Sequence, residues 1–386
     1  MRILFAAGGT AGHVNPALAI ADKVREVFPE SDSLFVGTQN GLESKLIQRE
    51  GYAFSSIKAS GFQRKITFRN IGRNAKAVYH FVTAGKASKK IISDFSPDIV
   101  VGTGGYVSAP VLSAAAELGI KTVVHESNSL PGMATKMLAK SAEKVFLSSE
   151  RTLSYFPEHS KNPKKYVVTG NPLRFGFRTE TKQDRKSALD SLGLDSTPGV
   201  FTILSVGGSL GANSITEAVA RLLKWERDSV KDASRGGINH IHAYGGNGRG
   251  LFEKLLVKND IQPIKGRNIF AEYIHNMYTC MMAADLVICR AGSMTQTELM
   301  AFGRASVQIP WAGASENHQY FNALTMKEAG AAILIKDEED LGDKLIDAVS
   351  ALYNQPSQIH RMEKNAAKMS SPNAAGVIVS EMLDLL

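Results

Sequence analysis

At 386 residues the chain is long for one hydrophobic core, and two domains of comparable size are expected, each able to bury an interior from the 44% of residues that are hydrophobic. Only Cys280 and Cys289 are cysteines, which excludes a disulfide framework and fits a reducing compartment. A formal charge of +8 is too modest to define a nucleic-acid binder, and none is expected; where the basic residues cluster matters more.

The apolar run at residues 3–7 is too short for a signal peptide and leads straight into Gly8-Gly9-Thr10-Ala11-Gly12-His13, so it predicts a first strand. A helix over about 15–27 and a strand at 33–37 follow, the alternation of a doubly wound α/β domain. The first glycine loop is neither a Walker A sequence nor the dinucleotide fingerprint with its spaced glycines. A strand at 98–102 opens a second glycine loop, Gly102-Thr103-Gly104-Gly105-Tyr106, and a strand at 121–125 ends in His125-Glu126-Ser127-Asn128. Ligands gather beyond the carboxyl ends of parallel strands, so these three loops are expected to line one site. The most apolar long window, 99–120, is broken by Gly102, Gly104, Gly105 and Pro110 and predicts strand, loop and helix; no membrane span is expected.

Residues 62–69 mix Arg64, Lys65 and Arg69 with Phe62, Ile66 and Phe68, and further bases follow at Arg73, Lys76, Lys86, Lys89 and Lys90. This pattern suits either a surface resting on anionic lipid headgroups or an amphipathic helix with solvated bases. Gly170-Asn171-Pro172-Leu173-Arg174 predicts the crossing between domains, and a polar stretch then runs to about Pro198.

After it the pattern restarts. A strand at 201–206 meets Gly207-Gly208-Ser209-Leu210-Gly211-Ala212-Asn213 and a helix reaching about Trp225. Strands near 240–244, 269–273, 286–289 and 305–310 complete a second parallel sheet. His240 and His242 share one strand face without a third ligand and predict packing rather than a metal site. Residues 337–340 read as the acidic start of a helix, and a final helix over 374–386 is expected to pack back on the first domain.

Two loops in the second half suit an anionic ligand. Gly207 to Asn213 offers backbone donors and the Ser209 hydroxyl at a helix start, which fits a diphosphate. The run 286–289 turns at Gly292 into a helix ending near Gly303, and Glu298, one turn in, can accept hydrogen bonds from a ribose diol. No Asp-x-Asp pair occurs, so charge on a departing diphosphate is left to N–H groups, hydroxyls, a helix dipole and Arg174. On the first glycine loop, His13 is the one side chain that titrates near neutrality, a candidate general base.

Taken in order, Gly8 to His13, Gly102-Thr103-Gly104-Gly105-Tyr106-Val107-Ser108, His125-Glu126-x-Asn128, Gly170 to Arg174, Gly207-Gly208-Ser209, Arg290-Ala291-Gly292 through Glu298, and His318-Gln319 resemble glycosyltransferase family 28, the peptidoglycan N-acetylglucosaminyltransferases. The likeness runs over nearly the whole chain. It implies a GT-B fold, two Rossmann-like doubly wound parallel-sheet domains facing across a cleft. Residues 1–170 would bind the acceptor and the membrane, 171–365 the UDP-N-acetylglucosamine donor, and 366–386 would form the returning helix.

The implied reaction is inverting transfer of N-acetylglucosamine to the C4 hydroxyl of the muramyl sugar in lipid I, giving lipid II. It would run on the anionic cytoplasmic face of the bacterial membrane, with the enzyme held there peripherally and no cofactor or metal required. Carried over by position, Thr10, Ala11 and Gly12 lie by the donor diphosphate and sugar, Asn128 contacts the N-acetylglucosamine, and Arg174 and Ser209 contact the donor. The Ile274 backbone meets the uracil, Ser293, Met294, Thr295, Gln296, Thr297 and Glu298 surround the nucleotide, Gln319 holds sugar hydroxyls, and His13 is the base. Ala11, Ser127, Leu210 and His275-Asn276 depart from the common pattern, which touches donor contacts more than the assignment. Rival readings are another GT-B glycolipid glycosyltransferase, a nucleotide-sugar epimerase, and a dinucleotide oxidoreductase that the first loop does not support.

Overall fold

The computed structural model describes residues 1–60, 68–174, 184–208, 210–230 and 237–386, without the side chains of 68–79 and Ser315. The chain divides into two compact units, Met1–Phe175 with Ser371–Leu386, and Gly176–Ser370.

The first unit is built on seven parallel strands: β1 (Arg2–Ala7), β2 (Asp32–Gly37), β3 (Ala53–Ser56), β4 (Ile99–Gly104), β5 (Lys121–Glu126), β6 (Lys144–Leu147) and β7 (Tyr166–Val168), in the order β3-β2-β1-β4-β5-β6-β7. Burial of both faces explains the unbroken apolar runs. On β1, Leu4 and Ala6 enter the core on one face while Ile3, Phe5 and Ala7 enter the core on the other. The helix Ala11–Val27 covers the second face with Val14, Ala17, Leu18, Ala21 and Val24, a 3.6-residue stripe. The final helix, Ala374–Leu383, adds Ile378, Val379 and Met382 to that same core, and Lys144 pairs with Glu381 at 2.5 Å.

The second unit repeats the plan with six strands: β8 (Phe201–Val206), β9 (Ile238–Ala243), β10 (Asn268–Ala271), β11 (Leu286–Cys289), β12 (Ala305–Gln308) and β13 (Ala332–Leu334), ordered β10-β9-β8-β11-β12-β13. Leu286 and Ile288 face one core, Val287 and Cys289 the other. His240 and His242 are fully buried, both bonded to Ser205 Oγ, at 2.9 and 2.8 Å, and His240 Nδ1 meets Glu226 at 2.8 Å. Burial, then the neighbouring His240, pushes His242 down to about 3, and the pair is internal packing. Among the described residues no three His, Cys, Asp or Glu side chains gather as a metal site.

One element departs from the expectation of a polar connector before Pro198. A helix, Arg185–Leu192, is capped by Asp184, whose carboxylate accepts from Ser187 N at 2.7 Å, and stops at Gly193 with φ of 66°. Its Ala188 and Leu189 fill the core, and Arg185 donates to Asp285 at 2.5 Å while Thr202 N reaches the same oxygen at 2.8 Å. The apolar stripe of Ala188, Leu189 and Leu192 is too short to stand out against the charges around it. Asp285→Ala strands a half-buried guanidinium and a strand N–H, and should destabilise this unit by about 2 kcal/mol, read as a lower urea midpoint of the second unit.

Candidate active site

In the first unit β1 is the switch strand, with β2 and β3 on one side and β4 to β7 on the other. The helix that follows it starts at Ala11, and helix geometry leaves its first N–H groups without intrahelical acceptors. Pro16 lies inside this helix and has no N–H to give the Gly12 carbonyl. Ser127 Oγ supplies that bond at 3.3 Å, and Thr103 Oγ1 donates to the His13 carbonyl at 2.7 Å. The start of the helix after β1 is tied in this way to the end of β4 and to the loop after β5.

His13 is oriented from behind. Its Nδ1 lies 3.0 Å from the Gly8 carbonyl oxygen, which can only accept. In the neutral ring the proton therefore belongs on Nδ1, which makes Nε2 the accepting nitrogen. The ring packs on Gly104, where a Cβ would come within 2.6 Å of His13 Cδ2. At Gly105, with φ of 81°, a Cβ would lie 2.1 Å from Gly8 O, so the two glycine loops interlock where no side chain fits. Ser108 Oγ stands 2.8 Å from both the Ala6 and Gly104 carbonyls and holds the second loop down.

Asn128 is positioned by a residue to which the sequence reading assigned no role. Glu126 accepts from Asn128 N at 2.9 Å and Asn128 Nδ2 at 3.1 Å with one oxygen, and from Gly132 N at 2.9 Å and Thr135 Oγ1 at 2.6 Å with the other. His125, beneath this loop, is pushed down to about 4 by burial and is neutral at pH 7. Asn171 Nδ2 donates to the Ser127 carbonyl at 3.0 Å. Arg174 is committed to two acids: Nε to Asp22 at 3.0 Å and Nη2 to Glu50 at 2.6 Å. The hydrogen bond from Arg174 is the main reason the Glu50 carboxyl lies below its ordinary range.

In the second unit the switch falls between β8 and β11, and a cavity of about 630 Å³ opens there, lined among others by Gly207, Asn213, Arg290, Thr295, Trp311 and Gln319. Two helices begin beside it, Asn213–Ser229 and Ser293–Phe302, so two sets of unpaired N–H groups and two positive dipole ends serve one space. Arg290 is fixed at the wall by Asp337 at 2.7 Å, the Ile309 carbonyl at 3.1 Å and Ser214 Oγ at 3.1 Å; Ser214 in turn donates to Asp337 at 3.0 Å. Asp337, expected only as part of an acidic helix start, is thus the counter-charge of the site. Its signal in the sequence was weak because its partner is 47 residues away. Gln319 accepts from Trp311 N at 2.9 Å, which fixes its amide and leaves Nε2 as the donor end.

Of the remaining expected residues, Ser293, Met294 and Thr295 form the first turn of the Ser293–Phe302 helix. Gln296 and Thr297 are buried, bonded to Gln308 at 2.8 Å and to the Ser293 carbonyl at 2.9 Å. Ile274 is half-buried against the core. Glu298 is half-buried, and burial pushes its carboxyl up to about 7; the Cys289 thiol rises to about 12, by burial first and then by the charge of Glu298. Ser209 and the side chains of 62–69 lie outside the described residues.

Comparison with known proteins agrees with this architecture. Residues 3–147 match the glycosyltransferase family 28 N-terminal domain, and residues 202–378 match the family 28 C-terminal domain. The chain belongs to glycosyltransferase family 28. Family 28 relatives include the UDP-N-acetylglucosamine--N-acetylmuramyl-(pentapeptide) pyrophosphoryl-undecaprenol N-acetylglucosamine transferase of Thermoanaerobacter sp. (strain X514), 37% identical over 97% of both chains. The protein of that name from Bacillus subtilis (strain 168) is 36% identical over 100% of this chain and 99% of its own. The crystal structure of Acinetobacter baumannii MurG superposes with a TM-score of 0.74 at 26% identity, covering 98% of each chain. A family 28 chain is a glycosyltransferase, and the two parallel-sheet Rossmann-like units are the GT-B architecture expected from its motifs.

An acid whose folded pKa is raised costs stability as pH climbs from its ordinary 4.5 to about 7, and nothing more above that. Glu298→Gln is therefore expected to raise the thermal midpoint of the unliganded protein at pH 8 and leave it unchanged at pH 4. Scanning calorimetry at the two values checks this.

Proposed function

We propose that the chain transfers N-acetylglucosamine from UDP-N-acetylglucosamine to the C4 hydroxyl of lipid-linked N-acetylmuramyl-pentapeptide, with inversion, in the synthesis of peptidoglycan. The observation that supports the donor half is the cavity between two helix starts in the second unit, where a nucleoside diphosphate meets N–H donors and a fixed arginine. The names of the full-length relatives supply the sugar and the acceptor.

In this reading the diphosphate lies on the N–H groups at Ser293 to Thr295 and at Asn213 and Ser214. Glu298 accepts from the ribose diol, the Ile274 backbone meets the uracil and Gln319 donates to sugar hydroxyls. Ser209 adds its hydroxyl, and Asn128, held by Glu126, takes the N-acetylglucosamine, with Thr10, Ala11 and Gly12 beside the diphosphate and sugar. His13 Nε2 takes the proton from the C4 hydroxyl as its oxygen bonds to the anomeric carbon. The bond from that carbon to the phosphate oxygen breaks, and UDP leaves with the electron pair, its charge met by preorganised donors rather than reorganising water. Arg174 meets the donor with the N–H groups that Asp22 and Glu50 do not take.

The acceptor's lipid calls for a membrane face on the first unit. Among the described residues no helix is long and apolar enough to cross a bilayer. Met133 and Met137 stand exposed, four apart on the helix Met133–Leu138, with exposed Lys136 and Lys140 beside them. In this reading they give a peripheral contact with anionic lipid, to which the sequence of 62–69, with its bases and aromatics, is also suited, and the protein works on the cytoplasmic face. Co-sedimentation with anionic vesicles should exceed that with neutral ones and fall in Met133→Ser/Met137→Ser; indifference to lipid charge would remove this part.

Incubation with radiolabelled UDP-N-acetylglucosamine and a short-chain lipid I analogue should give a labelled disaccharide lipid. UDP released without acceptor, or an epimerised sugar, would overturn the transferase assignment. His13→Ala should lower kcat by roughly 10²–10⁴-fold with UDP affinity unchanged, and equal losses in both would make His13 a loop-shaping residue only. Because a bound diol favours the carboxylate, UDP affinity should rise as pH passes upward through about 7, while Glu298→Ala should bind more weakly with a flat profile.

A further inference from the structure

The first glycine loop rests on a carboxylate that no motif marks. Glu43 opens the helix Leu42–Arg49 and is completely buried. Its Oε2 accepts from Gly9 N at 3.2 Å, and its Oε1 accepts from Thr38 N at 2.9 Å and Thr38 Oγ1 at 2.6 Å. The surroundings are cut to its shape. A Cβ on Gly37 would lie 2.6 Å from Glu43 Cγ, one on Gly41 2.3 Å from its carboxyl carbon, and one on Gly8 3.1 Å from Oε1.

Gly8 and Gly9 are the residues whose backbone sets the imidazole. The Gly8 carbonyl receives the Nδ1 proton of His13, and Gly9, with φ of 89°, turns the chain toward the helix start. All three partners of Glu43 point hydrogens at it, so only a group that accepts through both oxygens satisfies them. Burial alone would raise this carboxyl, but the hydrogen bonds, led by the Thr38 hydroxyl, outweigh it and hold it below its ordinary range. It is ionised at neutral pH, and its charge is spent on the loop.

We propose that Glu43 is a positioning residue for glycosyl transfer: by clamping the Gly9 amide to the β2 end at Thr38 it fixes the Gly8 carbonyl, and through it the tautomer and direction of His13. The proposal rests on His13 being the base. Glu43 acts only through that loop.

The test is Glu43→Gln in the full chain, which keeps shape and leaves one acceptor where two are needed. Its companion is Ile47→Val, one turn along the same helix, fully buried in the core and away from the loop. Glu43→Gln should lower kcat at least tenfold, shift the pH profile of kcat, leave UDP affinity within twofold, and move the Gly9 amide proton upfield in a ¹H–¹⁵N spectrum. Ile47→Val should lower the thermal midpoint with kcat within twofold. Wild-type kcat in Glu43→Gln, an unmoved Gly9 resonance, or an equal kcat loss in Ile47→Val would each overturn the proposal. The Gly9 resonance responds to Glu43 whether or not His13 is the base, while full turnover in His13→Ala would sink the base assignment alone.

Discussion

Parallel pairing on both sides of one central strand is the constraint from which the two sites follow. β1 pairs with β2 and β4, and β8 pairs with β9 and β11, each in parallel. A strand in that position feeds crossovers that leave in opposite directions, and the space between them has no covering helix. In both units that space is bordered by glycine turns and helix starts, so the backbone itself brings hydrogen-bond donors to the rim before any side chain is considered.

Side chains then supply what the backbone cannot, and acids carry much of that work by holding other residues in place. Glu126 gathers four donors around the loop of Asn128, and Asp337 fixes Arg290 while accepting from Ser214. A buried carboxylate with all its acceptor capacity used holds loops rigidly, because releasing any one donor leaves a desolvated charge incompletely paired. Glu298 differs: it has burial without a counter-charge strong enough to keep its pKa low.

The alternation of apolar runs and glycine turns made the two sheets legible, and it did so because both faces of each sheet are covered and the strands need no polar side. The helix over 185–192 is hard to read because its apolar side, Ala188, Leu189 and Leu192, is short and set among charged and polar residues. At the sites, His13 and the Ser293–Phe302 helix start were readable because glycine marks where the chain turns. What could not be read was long-range: Arg174 against Asp22 and Glu50, or Ser127 answering the acceptor that Pro16 leaves at Gly12. Gln296 and Thr297 sit in a run whose spacing resembles that of ligand contacts, yet helical periodicity turns their side chains inward to Gln308 and the Ser293 carbonyl.

The chain contains two tryptophans, and they live in different surroundings. Trp225 meets Tyr353 edge-on, while Trp311 is 53% exposed at the wall of the second unit's cavity. The second unit thereby carries a reporter at the cavity and a reference away from it: filling the cavity changes the polarity around one indole and not the other, so occupancy is written into the protein's own emission without any attached label.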